Sequence, residues 1–162
     1  MAQGLPGVEI NINTDRLGQT DQTEDSIVGL ILTGSTVAGA DNITTGTAKQ
    51  LFSLEGAEAI GITASGTNAF AHTAIKNFYA QAGKGAELWI MLVTAAIKMS
   101  EILDLTGDFA PVLLDAAQGR IRTLAVSQKS AAGITVANGV DEDVDLAATK
   151  GQALAVAYAG KY

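Results

Sequence analysis

Hydrophobic positions divide the chain into two regimes. In Val8-Glu9-Ile10-Asn11-Ile12, apolar and polar residues alternate strictly, the period-2 signature of a strand with one face buried. Residues 13–26 follow with Gln, Thr, Asp and Glu, and Leu17 is nearly the only large apolar side chain before Ser26. Such a stretch has little reason to pack onto a core. It reads either as a strand and surface loop of the same domain or as an arm that pairs with a neighbouring subunit. Beyond it, apolar residues are dense. Residues 27–33 (IVGLILT) and 87–94 (ELWIMLVT) are nearly continuous apolar runs, which suits strands buried on both faces. Residues 34–47 are rich in Gly, Ala and Thr and read as a loop, followed by a short helix over 48–59 and a short strand over 60–63.

Thr67 or Asn68 can cap a helix running to about Ala82, with Phe70, Ala74, Phe78 and Ala82 at four-residue spacing and Gly83 and Gly85 as its stop. A further helix is expected over 109–118, where Pro111 is tolerated in the first turn, and Gly119 ends it. Residues 121–127 (IRTLAVS) return to strand, 133–140 to strand or loop, and 144–158 to a last helix. Strands alternating with helices predict an α/β fold, a mixed and partly parallel sheet flanked by helices, with an extended N-terminal arm. The division expected is an arm over residues 1–25 and an α/β domain over 26–162. An alternating fold would continue into another strand after the last helix, so a fragment of something longer is the expectation.

Composition narrows the function classes. The chain has 162 residues, enough for one domain of ordinary size. Charged residues make up 17%, below the roughly 25% of a typical domain, and hydrophobic residues 48%, which excludes disorder for the body of the chain. With aromatics at 5% and 18 glycines, the core must be built from small aliphatic side chains. A net charge of −7 argues against nucleic acid as a partner, because phosphate neutralisation needs clustered cations. No cysteine is present, which excludes disulfides, thiolate metal sites and a cysteine nucleophile. The densest apolar segment, 88–93, is far shorter than the roughly 20 residues of a membrane span. Met1 to Pro6 carries neither basic residues nor an apolar run of signal-peptide length.

Candidate chemistry is sparse. His72 is the single histidine and falls mid-helix, at a surface or lightly buried position. Ser65, Ser100 and Ser127 lack the G-x-S-x-G setting that exposes a nucleophile. Gly34-Ser35-Thr36-Val37-Ala38-Gly39 follows a buried strand, as a phosphate-cradling loop would, yet its glycines do not follow G-x-G-x-x-G. Gly83-Lys84-Gly85 lies after a helix and before a strand, the reverse of a P-loop. In Asp141-Glu142-Asp143-Val144-Asp145 the carboxylates suit positions one, three and five of a calcium loop. Leu146 and Gln152 then stand where Gly and Glu are needed, so capping and the helix dipole explain the cluster better. Asp104, Asp108 and Asp115 could pair as acid and base only if the fold gathers them. No catalytic, cofactor-binding or metal-binding residue is assigned.

Three segments carry a resemblance. Leu5-Pro6-Gly7-Val8-Glu9-Ile10, then Ala74 to Tyr79 with Ala82 to Ile90, and Gly119 to Val126 together span most of residues 5–126. They resemble the contractile tail sheath proteins of bacteriophages and related contractile injection systems. The resemblance implies a structural, self-assembling homo-oligomer, a ring or helical tube around an inner tail tube protein. It also implies a virion tail or contractile particle assembled in the bacterial cytoplasm, with no cofactor, no membrane and no enzymatic activity. In such proteins terminal arms add strands to neighbours, and Val8, Glu9, Ile10, Asn11 and Ile12 match the donated strand in position and pattern. Sheath proteins are usually longer than this chain, with a C-terminal arm.

The competing expectation is a small α/β ligand- or nucleotide-binding domain, or an enzyme, using loop 34–47 at the carboxyl ends of the strands. A secreted adhesin-like module suits the Thr, Ala and Gly content but not the helical patterns.

Overall fold

The computed structural model describes residues 27–129, 136–137 and 139–161. The strand expected over Val8–Ile12 and its polar linker lie outside the described residues. Four strands, β1 (Val28–Thr33), β2 (Ala48–Leu51), β3 (Leu88–Val93) and β4 (Thr123–Ser127), form one sheet in the order β2-β3-β1-β4. β1 runs parallel to both β3 and β4, while β2 lies antiparallel on β3. The fold is therefore α/β with a mixed, partly parallel sheet, as the alternation of elements predicts.

The helices are α1 (Leu54–Ala59), α2 (Ala69–Ala82), α3 (Met99–Ile102), α4 (Ala110–Ala116) and α5 (Glu142–Ala159). From β1 the chain moves to β3 on one side and then crosses to β4 on the other. Right-handed crossovers in opposite directions put their helices on opposite faces of the sheet. Two cores follow from this. On one face, Leu32, Leu88, Ile90 and Leu92 pack with Ala57, Ala71 and Ile75 of α1 and α2. On the other, Ile31, Met91 and Val93 pack with Ile102, Leu113 and Leu154 of α3, α4 and α5. Side chains of β1 and β3 point alternately into the two cores, which is why their sequences are apolar without interruption. A short hairpin of β5 (Val136–Ala137) and β6 (Val140–Asp141) precedes α5.

Two expectations are corrected. Residues 48–51 are a strand rather than the start of a helix, with Ala48 to Leu51 paired to Met91 to Leu88; tertiary pairing overrides the local helical tendency. Residues 60–63 are not a strand: Ile60 caps α1 and Gly61 takes φ +90 in the turn, which buries Ile62. On α2, Ala71, His72 and Ile75 are buried and Ala74 and Phe78 pack partly buried against the same core, whereas Phe70 is 38% exposed and Ala82 is exposed. α3 has no counterpart in the expected elements; a four-residue helix is too short to show a period.

Candidate functional site

The residues with candidate chemistry are dispersed. His72 is buried on α2, its Nε2 2.9 Å from Oε1 of Glu58, so it links α2 to α1. Ser100 is buried and donates its hydroxyl to Asp143. Asp104 accepts from Lys150 at 2.6 Å and from Thr106 at 2.7 Å. The Lys150 and Thr106 hydrogen bonds hold its carboxyl far below the usual carboxylate range. Asp115 takes the Tyr158 hydroxyl and the Lys161 ammonium. Asp104 and Asp115 thus each serve an attachment of α5. Among the described residues, no group of three or more His, Asp or Glu is gathered to hold a metal ion.

Loop 34–47 is folded back on the protein. The amides of Gly34, Val37, Ile43 and Gly46 donate to the carbonyls of Val93, Ile43, Ile60 and Leu92. The Asn68 side chain, 3% exposed, accepts from the Ser35 amide at 2.7 Å and donates to the Ser35 carbonyl at 3.0 Å. A phosphate-cradling loop aims such amides outward; these are held by protein oxygens. The Lys129 amide donates to Oγ1 of Thr33 at 2.7 Å, which ties the chain after β4 to the end of β1. Gly83 and Gly85 adopt φ +82 and +96 in the turn that ends α2, and Lys84 pairs with Glu55 at 3.1 Å.

The acidic segment at the start of α5 is a latch. Asp141 caps α5 by accepting from the Asp143 amide. Asp143 reaches across to α3, where it accepts from the Met99 amide at 2.7 Å, the Ser100 amide at 3.3 Å and the Ser100 hydroxyl. Burial pushes the Asp143 carboxyl up, but these hydrogen bonds and the Lys98 charge outweigh it and hold the group below the usual carboxylate range.

Anchored in this way to α3, and through Tyr158 to α4, α5 spans an apolar cleft of about 640 Å³ beside β4. Leu124 and Val126 of β4 form one wall; Val144, Ala148, Ala155 and Ala159 of α5, all exposed, contribute to the other. The cleft ends at an open sheet edge. β4 is the outermost strand on its side, so among the described residues its outward N–H and C=O groups have no strand partner. The opposite edge strand, β2, carries Lys49, a residue that discourages further pairing at an edge. β4 (TLAVS) has no charged residue. It is also covered on one face only: Leu124 and Val126 are half-buried on the α5 side, while Thr123 and Ala125 are exposed.

Sequence reasoning located β4 but not its standing as an open edge. IRTLAVS carries more polar residues than the two central strands, which are apolar almost throughout, but that does not by itself mark a sheet edge. The cleft had no sequence signal, because it depends on where Asp143, Lys150 and Tyr158 hold α5.

Among known proteins, the family described as DUF2586, N-terminal domain, matches residues 5–162. No curated protein and no solved structure matches the chain.

Proposed function

The chain belongs to the DUF2586 family, whose N-terminal domain it spans; from its sequence resemblance and the edge of its sheet, we propose that it is a structural, self-assembling protein resembling a contractile tail sheath subunit. It polymerises as a homo-oligomer around an inner tube, and the Val8–Ile12 strand of one copy pairs with a neighbour. The observation that carries this reading is the edge of β4, which has no strand partner among the described residues, is uncharged along its length and is backed by an apolar cleft. Soluble proteins blunt such edges with charge, proline or a covering element unless the edge is used. Strand addition uses it, with backbone hydrogen bonds supplying affinity and alternate side chains supplying register. Repeated between identical copies in a head-to-tail sense, this contact generates rings or helical tubes.

Negative-stain electron microscopy of the purified chain at high concentration tests the proposal. Rings or tubes are the expected result. Dispersed particles of monomer size would contradict it.

A further inference from the structure

We infer that the cleft between β4 and α5 is a binding site for an alkyl carboxylate, an amphiphile whose chain lies in the cleft and whose single anionic head meets Arg122. The inference stands apart from the assembly reading. At about 640 Å³ the cleft falls in the range of small-molecule sites. Its lining is almost wholly hydrocarbon, with Leu103, Leu114, Ile121 and Leu154 beside Leu124 and Val126. The space exists because α5 presents small residues along it. Ala148, Ala155 and Ala159 stand where leucine would fill the cleft with nearly the same helix propensity. An apolar groove kept open in this way marks a place where something apolar binds.

Charge decides which apolar molecule fits. Arg122 is the one charged residue in the lining. Its amide donates to the Ile27 carbonyl at 3.0 Å, which pins the backbone at the start of β4. Two residues before Leu124, it joins Leu124 and Val126 on the cleft side. Its side chain is exposed, and among the described residues no carboxylate pairs with it, although Lys84, Arg120, Lys150 and Lys161 each have one. In a chain of net charge −7, an unpaired cation at an apolar cleft selects an anion with an apolar body.

The other polar groups around the cleft are already engaged. Asp143 takes the amides of Met99 and Ser100, and the Tyr158 hydroxyl is held by the Pro111 carbonyl and Asp115. One guanidinium matches one carboxylate, which it holds through two parallel hydrogen bonds. A phosphate dianion would leave its second charge without a partner there. Affinity therefore comes from the buried chain, and selectivity from Arg122.

Isothermal titration calorimetry of the full chain with hexanoate, octanoate and decanoate, each below its micelle-forming concentration, tests the site. Saturable binding of one molecule per chain is expected. It should tighten roughly tenfold for each two carbons added, the effect of moving methylenes from water into an apolar cleft. Decanol, which lacks the charge, is the control. Arg122→Gln should weaken decanoate roughly fivefold, the size of an exposed charge contact, and leave decanol unchanged. Ala155→Trp fills the cleft from an exposed position and should abolish binding of both, with the fold preserved by circular dichroism.

Absence of saturable binding by the full chain would overturn the inference, since the cleft would then be closed by the chain's own residues or by another copy. Decanoate binding unaltered by Arg122→Gln, or decanol weakened as much as decanoate, would overturn the carboxylate as the head. Wild-type binding in a folded Ala155→Trp would place the ligand outside the cleft and overturn the site.

Discussion

Replacing Asp143 with alanine removes the group that holds α5 against α3. Three donors lose their acceptor: the amides of Met99 and Ser100 and the hydroxyl of Ser100, whose residue is 4% exposed. A hydrogen bond to a charged group contributes about 1.5–3 kcal/mol when buried, and loss of a helix cap costs about 1 kcal/mol. Asp143 is only half-buried, which discounts these figures for solvent screening, and α3 is one turn long. A net loss of about 2 kcal/mol is expected on that basis. For a domain of this size, that lowers Tm by about 6–8 °C.

The pH dependence carries a further signature. The Asp143 carboxyl titrates below the usual carboxylate range in the folded protein, so its contribution is complete above the unfolded value. It is lost as pH falls through the folded one. The difference between wild type and Asp143→Ala should accordingly shrink as the solution is acidified below pH 4. Thermal unfolding followed by circular dichroism measures both effects, and hydrogen exchange should show increased opening of α5. A Tm change under about 2 °C at neutral pH, with α5 exchange unaltered, would refute the latch.

The remaining predictions concern the sheet and its flanking helix. Among the described residues the Tyr79 hydroxyl is buried without a hydrogen-bond partner, so Tyr79→Phe should raise stability by about 1 kcal/mol in chemical denaturation. Burial lifts its pKa to about 12, so the unfolded chain loses this proton first. Stability should therefore fall as pH rises from about 10 to 12, less so in Tyr79→Phe, and an identical alkaline decline in both would contradict this. Glu87 accepts from Gln50 Nε2 at 2.9 Å and Trp89 Nε1 at 2.8 Å and pairs with Arg120, joining the ends of three strands. Glu87→Ala should cost about 3 kcal/mol, while Glu87→Gln, which keeps an acceptor, should cost less; equal losses would speak against the network. Asn68→Ala should speed amide exchange at Ser35 while leaving β3 protected, and unchanged exchange would mean that loop 34–47 is held by other contacts.

The central part of the fold was legible because burial and sequence period agree there. Residues 28–33 and 88–93 are apolar at every position or nearly so, and both became inner parallel strands. Gly83 and Gly85 marked a turn that requires positive φ. Residues 48–51 were misread because Ala, Lys, Gln and Leu all favour a helix locally, and only pairing with β3 makes them a strand. On α2 the four-residue spacing places Ala74 and Phe78 partly buried against the core, but Phe70 stays exposed and Ala71, His72 and Ile75 sit deepest. As for the candidate site, the alternating pattern at 8–12 is visible in the sequence. The place of β4 at the end of the sheet order is not, since it is defined by which strands pair, and a cleft is defined by the distant contacts that hold its roof.

The central claim is that copies of this chain associate through residues 1–25 while the α/β body folds without them. Sedimentation velocity of the full chain and of residues 26–162, each paired with a thermal melt, tests it most directly. The account predicts large assemblies for the full chain, monomers for the shortened one, and nearly equal Tm values when both are compared as dilute monomers. Association that survives removal of the arm would contradict it. So would a monomeric full chain whose Tm drops sharply on truncation, because the arm would then belong to its own sheet.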